Sequence, residues 1–227
     1  MAVLLLRLAA PMQSWGTQSH FSVRETGLEP SKSGVIGLLC AALGRPRTAA
    51  VDDLAALRMG VRVDREGQMM MDYHTAGAGE DGFLRADGKV EKKNVIVSHR
   101  YYLADAVFLV GLEGEEALLR HLHEALRAPV WPLYLGRKAF VPGCPVWMQG
   151  GLRTDESLEE ALERYPWLGS AWQKKPPERL RLMIEEQDGY EIRRDHPVSF
   201  DPLRRRYLLR RLRVTFVPRP HVVLEEV

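Results

Sequence analysis

The chain has 227 residues, of which 45% are hydrophobic, and its formal net charge is only +2. This length fits one large domain or one domain with a smaller appendage, and the near-neutral charge does not by itself require a nucleic-acid partner. Two cysteines exclude a disulfide framework, and the absence of an apolar run of about 18 residues excludes a membrane-spanning helix. The short apolar opening carries Arg7 and leads into Pro-Met-Gln-Ser-Trp, unlike a signal peptide, so we expect a cytoplasmic protein without membrane contact.

The N-terminal third of the chain alternates between strand-like and helix-like segments. Ala2–Ala9 is an apolar run ended by Pro11, which predicts a buried strand. A helix is predicted over Ser33–Leu43, because a proline and two serines stand at its start and Gly44 follows it. Beyond it we predict a short helix over Val51–Leu57 and strands over Gly60–Asp64 and Met69–Thr75.

A long excursion then interrupts the pattern. The glycine- and acid-rich stretch AGAGEDGFLRADG is followed by KVEKKNVIVS, which predicts a projecting hairpin, or thumb, at about residues 76–100. Downstream we predict a strand over Tyr101–Gly111, an amphipathic helix over Glu115–Arg127 and a strand over Val130–Leu135. The order strand, helix, strand, strand, helix, strand is that of a ferredoxin-like, RNA-recognition-motif-like sandwich. We therefore predict an α+β fold with a βαββαβ domain over residues 1–149 and the thumb hairpin inserted in it.

Residues 150–227 are predicted to form a small C-terminal β-rich unit. It opens with the acidic helical segment DESLEEALERY and continues with strand-like runs at Arg179–Glu185 and Tyr207–Val217. From residue 190 to residue 217 the chain carries eight arginines against three acidic residues, with Phe200 and Tyr207 between them. This pattern fits contact with RNA phosphates about as well as it fits a solvated charged face.

The connection between the first predicted strand and the first predicted helix has too many aromatic and hydrogen-bonding side chains for a plain linker. Trp15 and Phe21 could stack on bases, and the helix start at Lys32 and Ser33 could hold a phosphate. Simple capping of the helix by Ser31 or Ser33 is the alternative explanation. The segment GLEPSKSG does not favour nucleotide hydrolysis, because it lacks the second glycine of a phosphate-binding loop and is one residue short.

Two further groups of residues raise questions of chemistry. The sequence Gly-Arg-Lys at residues 136–138 follows a predicted strand and is either a second phosphate clamp or a turn with solvated cations. His74, His99, Tyr101 and Tyr102 are residue types that a metal-independent ribonuclease would use, but nothing in the sequence brings them together. Histidines, cysteines and carboxylates show no metal-site spacing, so we expect neither a metal nor a cofactor.

Several of these segments, taken together, resemble a known family. The opening LLLRLAAPMQSWGTQSHFSVRETGLEPSKSGVIGLLCAALGR, and then MDYHT, RYYLADAVFLVGL, PLYLGRKAFVPG and RDHPVSFDPLRRRYLLRRL, resemble in content and order the CasD subunits of type I-E CRISPR Cascade complexes, which belong to the RAMP superfamily. The resemblance covers most of the chain. It implies a ferredoxin-like domain with a thumb, and a non-catalytic subunit that caps the 5′ handle of the CRISPR RNA beside a backbone subunit and the large subunit of the complex.

The resemblance also implies which residues bind RNA. These are Gln13, Ser14, Trp15, His20, Arg24, Thr26, Lys32, Ser33, Arg137, Lys138, Arg204 and Arg206, with Lys92, Lys93 and Arg100 in the thumb or at its base. A sister branch of the superfamily cleaves precursor CRISPR RNA with His, Lys and Tyr, which leaves a metal-independent endoribonuclease as the alternative function. Here Ser98 rather than lysine precedes His99, so we expect binding and no catalytic residue.

Overall fold

The structure is a computed structural model that describes residues 1–17, 22–77, 80–85, 88–92, 94–169 and 176–220. The strands are β1 (Ala2–Ala9), β2 (Met12–Gln13), β3 (Val23–Arg24), β4 (Arg58–Arg65), β5 (Gln68–Gly77), β6 (Phe83–Leu84), β7 (Val90–Glu91), β8 (Val95–Ala104), β9 (Val107–Gly114), β10 (Leu152–Arg153), β11 (Arg179–Glu185), β12 (Glu191–Ser199) and β13 (Arg206–Pro218). The helices are α1 (Lys32–Leu43), α2 (Asp52–Ala55), α3 (Glu116–Arg127) and α4 (Leu158–Arg164). In these ranges no helix has the length and apolar character needed to cross a membrane.

A seven-stranded antiparallel sheet dominates the fold, with the strand order β10-β1-β9-β4-β11-β13-β12. The predicted mixed α+β class is confirmed. The expected boundary at residue 150 does not divide this sheet, because β11 pairs with β4 from Arg181↔Val63 to Ile184↔Gly60. The C-terminal strands therefore extend the sheet that the N-terminal strands begin.

Both faces of β1 are buried from Ala2 to Leu6, which explains its largely apolar sequence. Successive strand residues point to opposite faces. Leu4, Leu6 and Leu8 belong to the core that α1 and α3 cover, whereas Val3 and Leu5 belong to a second core on the other face, covered by α4. The N-terminal strand thus needs apolar residues on both of its faces, and its one charged residue, Arg7, is only half-buried.

Two sequence predictions differ from the structure. The predicted strand Tyr101–Gly111 is instead the end of β8 and most of β9, with a turn between them in which Asp105 has a φ of 56°. The predicted strand Val130–Leu135 is an irregular segment. Its amides at Val130 and Trp131 donate to the carbonyls of Ala42 and Ala41 at the end of α1, so they are not free to join a sheet edge.

A second, smaller sheet is built on β8. Strands β5 and β8 pair along their whole length, from Gln68↔Ala104 to Gly77↔Val95, and we call this pair the β5–β8 ribbon. The ribbon begins earlier than the expected thumb at residues 76–100, and almost all of β5 is exposed. On the other edge of β8, β2 pairs with Leu103 and Ala104, and β3 pairs with His99 and Arg100.

A buried ionic network joins the start of α1 to the C-terminal strands. The carboxylate of Asp195, 2% exposed, accepts hydrogen bonds from the Lys32 amide at 2.7 Å and from the Arg210 guanidinium at 2.6 and 2.9 Å. The ammonium group of Lys32, which is 1% exposed, donates to both oxygens of Glu185 at 2.9 Å. Burial lowers the pKa of Lys32, and the negative charge of Glu185 opposes that shift. Strand β12, which the sequence patterns missed, carries Asp195 into this network.

This network predicts a large effect of removing its central carboxylate. In Asp195→Ala, the buried Arg210 guanidinium loses its partner, so we expect the free energy of unfolding to fall by about 3–5 kcal/mol. Urea unfolding of the full chain measures the change. Glu116→Ala is the matched control, because it removes a carboxylate from an exposed i,i+4 pair with Arg120 and should cost less than about 0.5 kcal/mol. Equal losses in the two variants would contradict a structural role for the network.

Candidate nucleic-acid interface

Four of the residues expected to bind RNA form the internal frame of the connection between β1 and α1. The Gln13 side chain is fully buried; it donates to the carbonyls of Ala106 at 2.7 Å and Leu8 at 3.3 Å and accepts from the Trp15 indole at 3.2 Å. Thr26 accepts a hydrogen bond from the Trp15 amide at 2.9 Å, and Trp15 itself is only 2% exposed. Ser14 is buried and donates to the carbonyl of Tyr101. These side chains shape the loop and present no free group to a ligand.

The start of α1 is also occupied by the protein itself. Ser31 is the N-cap, with its hydroxyl accepting from the amide of Gly34, so the alternative explanation of this motif is confirmed. The Lys32 ammonium points into the buried network and pairs with Glu185, which does not support the phosphate contact expected of it. Ser33 is half-buried and lines a cleft described below.

Three other expected residues converge from distant parts of the chain. Arg24 on β3 lies beside Arg100 on β8 in the parallel pairing of these strands. The Arg137 guanidinium donates to the carbonyls of Arg24 at 3.1 Å and Tyr101 at 2.8 Å, which brings it to the same place. We call Arg24, Arg100 and Arg137 the arginine triad. None of the three guanidinium groups forms an ion pair with a carboxylate in the part of the chain that the structure describes.

The electrostatic environment of Arg137 indicates that positive charge exceeds negative charge around the triad. Burial lowers the pKa of Arg137, and the positive charges of Arg100 and Arg24 lower it further, while Asp72 alone acts in the other direction. A phosphate placed among the three guanidinium groups would supply the missing counter-charge and accept hydrogen bonds from planar donors suited to it.

The loop that carries Arg137 also borders a cleft. Gly136 has a φ of 92°, and a Cβ atom there would lie 1.6 Å from the carbonyl oxygen of Ser14, so only glycine allows the loop to pack this closely. The neighbouring Lys138 lines a cleft of ≈ 910 Å³ between α1, the segment at residues 131–141 and the C-terminal segment. The aromatic residues that line the cleft are Trp15, Trp131, Tyr134, Phe200 and Tyr207. The triad and the cleft therefore both adjoin residues 136–138, which we call the 136–138 ridge.

The cleft also has cations at its exposed margin. Arg47, Lys138 and Arg205 line it, all three are exposed, and none forms an ion pair with a carboxylate among the described residues. The positive charges of Arg47 and Arg205 act on the hydroxyl of Tyr207, although burial is the larger influence and raises the pKa of Tyr207. Arg45 lines the cleft as well, but Asp53 holds its guanidinium at 2.6 and 2.9 Å.

The remaining expected residues are more scattered. Arg204 and Arg206 are exposed but do not line the cleft, whereas Arg205 between them does. Lys92 is exposed near the far end of the β5–β8 ribbon. His20 and Lys93, and the stacking candidate Phe21, lie outside the described residues.

The histidines suggested for ribonuclease chemistry do not meet. On the ribbon, His99 pairs with Tyr73 and Ser98 pairs with His74, so the two histidines lie on opposite faces. The His99 ring contacts that of Tyr73 edge to face at 5.5 Å, and His74 lies 3.6 Å from the carboxylate of Asp72. They cannot act as base and acid on one phosphate. Within the described ranges there is no group of three or more His, Cys, Asp or Glu residues that could hold a metal ion.

The cleft includes residues that sequence patterns did not single out. Arg47 follows the end of α1 in a Gly-Arg-Pro-Arg turn, and Trp131 lies in the segment mistaken for a strand. The unusual density of arginine and aromatic residues in the C-terminal segment was a usable signal for Arg205 and Tyr207. No local signal placed them against α1, because the contact depends on the network at Asp195.

Comparisons with known proteins agree with one another. The chain is 35% identical over 158 residues to the CRISPR system Cascade subunit CasD of Escherichia coli (strain K12), an alignment that spans 63% of this chain and 66%, just under two thirds, of that subunit. Its structure is similar to a crystal structure of a Cas protein, with 46% identity, a TM-score of 0.76 and coverage of 96% of this chain and 98% of that one. It is also similar to a chain of a CRISPR RNA-guided surveillance complex, with 39% identity, a TM-score of 0.82 and coverage of 96% and 91%.

The resemblance seen in the sequence is thereby confirmed. The family model described as CRISPR-associated protein (Cas_Cas5) matches residues 3–213, which is nearly the whole described chain. The chain belongs to the CRISPR-associated Cas5 family.

Proposed function

We propose that this chain is a non-catalytic subunit of a cytoplasmic, Cascade-type CRISPR surveillance complex and that it binds and caps the 5′ handle of the CRISPR RNA. The observation that carries the proposal is the arginine triad. Three guanidinium groups from β3, β8 and the 136–138 ridge converge, and among the described residues Asp72 is the carboxylate that acts on Arg137. Such a concentration of guanidinium groups without a carboxylate ion-pair partner among the described residues fits the closely spaced phosphates of a bent single strand.

The order of the strands in the large sheet supports this role. We propose that β1, α1, β4, β9, α3 and β10 form the ferredoxin-like βαββαβ unit, with the short β10 as its fourth strand. The strand order β10-β1-β9-β4 supports this, because it is the 4-1-3-2 order in which such a unit arranges its strands. The β5–β8 ribbon would then be the thumb, inserted between the second and third strands of the unit, with Arg100 on β8 beside the RNA.

Partners are proposed on the same basis. The relatives described as a Cascade subunit and as part of an RNA-guided surveillance complex are components of multi-subunit assemblies. We propose that a backbone subunit and the large subunit flank this chain. The exposed apolar side chains of Met69, Met70 and Met71 on the ribbon fit a protein contact, since methionine adapts to irregular surfaces.

The triad predicts a charge-dependent loss of RNA affinity. In the double variant Arg24→Gln and Arg100→Gln, we expect the affinity for RNA carrying the repeat-derived 5′ handle to fall at least about tenfold, because charge-assisted hydrogen bonds to phosphate are lost. The slope of log affinity against log salt should become less steep by about 0.7 for each phosphate contact removed. Fluorescence anisotropy at several salt concentrations measures both quantities.

Arg120→Gln provides the control for these variants. It removes one positive charge, as each of the two triad substitutions does, from an exposed arginine on α3 whose partner is Glu116. We expect it to leave affinity and salt slope nearly unchanged. An equal loss in the control and in the triad variants would show that only the overall charge matters, and would refute the triad as a handle site.

The opposite faces of His74 and His99 predict that the chain does not cut RNA. End-labelled repeat RNA incubated with the purified chain in EDTA should remain intact on a denaturing gel while a filter-binding assay retains it. A discrete cut inside the repeat that is lost in His99→Ala would establish the alternative function, a metal-independent endoribonuclease that processes precursor CRISPR RNA.

A further inference from the structure

We infer that the cleft beside α1 holds one unstacked nucleobase of the bound RNA, with Gly37 as its floor and Trp131 as its stacking surface. The inference rests on the proposed function, since it assigns a base subsite to the RNA whose phosphates the arginine triad holds. It concerns residues that the resemblance did not implicate, because neither Gly37 nor Trp131 was among the expected RNA-binding positions.

The floor of the cleft is a face of α1 on which small residues predominate, and the two larger α1 residues that line it, Leu38 and Cys40, are buried. Gly34, Gly37 and Ala41 line the cleft along this face. Packing explains Gly34, because a Cβ atom there would lie 2.9 Å from the Trp15 ring. Gly37 has no such explanation, since a Cβ atom at this position would meet nothing within 4 Å.

A glycine inside a helix lowers the stability of the helix relative to alanine. At Gly37 no close packing explains why glycine stands there. Glycine at this position leaves an open, flat surface on the helix, which is what a planar ring needs in order to approach closely. The cleft volume of ≈ 910 Å³ lies within the range of ligand-binding clefts and leaves room for a base together with part of its sugar.

Trp131 provides an aromatic surface at one end of this floor. The residue is 44% exposed although it lines the cleft. Its backbone is held in place, because the Trp131 amide donates to the carbonyl of Ala41 at 3.1 Å and the neighbouring Val130 amide donates to that of Ala42 at 2.9 Å. A partly exposed indole on an anchored backbone is well suited to stack on a base that has left its own stack.

The charges around the cleft suit the rest of the nucleotide. Arg47, Lys138 and Arg205 are exposed at its margin, whereas the floor consists mainly of small and apolar residues of α1. A nucleotide has the same division between an apolar ring and an anionic phosphate. Because Arg137 and Lys138 are adjacent, an RNA strand that crosses the 136–138 ridge can leave phosphates at the triad and place the next base in the cleft.

The test combines a variant that fills the cleft with RNA that lacks one base. Gly37→Leu should project into the empty cleft and lower the affinity for handle RNA about 5- to 150-fold, the range expected for losing one stacked base. Abasic substitution at successive positions of the handle should produce a similar loss at one position. Combining the two changes should cost little more than either alone, because both remove the same contact.

Two further variants separate binding from folding. Gly37→Ala should raise the Tm by about 1–3 °C, because alanine favours a helix and nothing obstructs its Cβ atom, and yet it should weaken handle binding. Trp131→Ala should weaken binding, whereas Trp131→Phe should retain most of it. Ala117→Leu, which enlarges an exposed residue of α3, is the matched control for Gly37→Leu and should change neither quantity.

The outcomes distinguish this inference from the proposed function. If handle RNA binds and the triad variants weaken it, but Gly37→Leu and every abasic RNA bind like wild type, the base subsite is wrong and the handle site remains. If the wild-type chain does not bind handle RNA, the proposed function fails and the inference fails with it. If Gly37→Leu binds RNA normally but no longer assembles with its partner subunits, the cleft holds a protein side chain and the inference is overturned.

Discussion

The carboxylate of Asp195 is the contact on which the geometry of the interface depends. It accepts hydrogen bonds from the backbone at the start of α1 and from Arg210 on β13. These elements are far apart in sequence, and the cleft exists only where they meet, because α1 supplies its floor and the residues just before and within β13 supply Arg205 and Tyr207. A buried ionic contact is weak evidence for stability, but here it fixes how two elements are oriented.

The connection between β1 and α1 illustrates how polar residues can serve a binding surface without touching the ligand. Gln13 and Thr26 use their polar groups within the loop, and the Trp15 ring packs on Gly34. This rigid frame supports the close approach of Gly136 to Ser14 and thereby positions the 136–138 ridge. The exposed cations of the interface are therefore held by residues that look like binding residues in the sequence but are buried in the fold.

Local patterns were sufficient to predict β1, α1, α3 and β11, because burial and capping of these elements follow from nearby residues. The triad members Arg24, Arg100 and Arg137 were also found, but their convergence depends on strand pairing that no local pattern encodes. Lys32 was misjudged for the same reason: its partner Glu185 lies 153 residues away. The segment after α3 has strand-like composition, and only its hydrogen bonds to the end of α1 show why it is not a strand.

The pairing of β4 with β11 has a consequence for how the chain folds during its synthesis. One edge of β4 pairs with β9, but the other edge finds its partner only at residues 181–184. Until the ribosome has made that segment, the nascent chain carries an unpaired strand edge that can attract other strands. Contacts of such long range also slow folding. For the native sheet to form, this edge of β4 therefore has to be covered early, either briefly by a chaperone or by β11 as soon as it has been made.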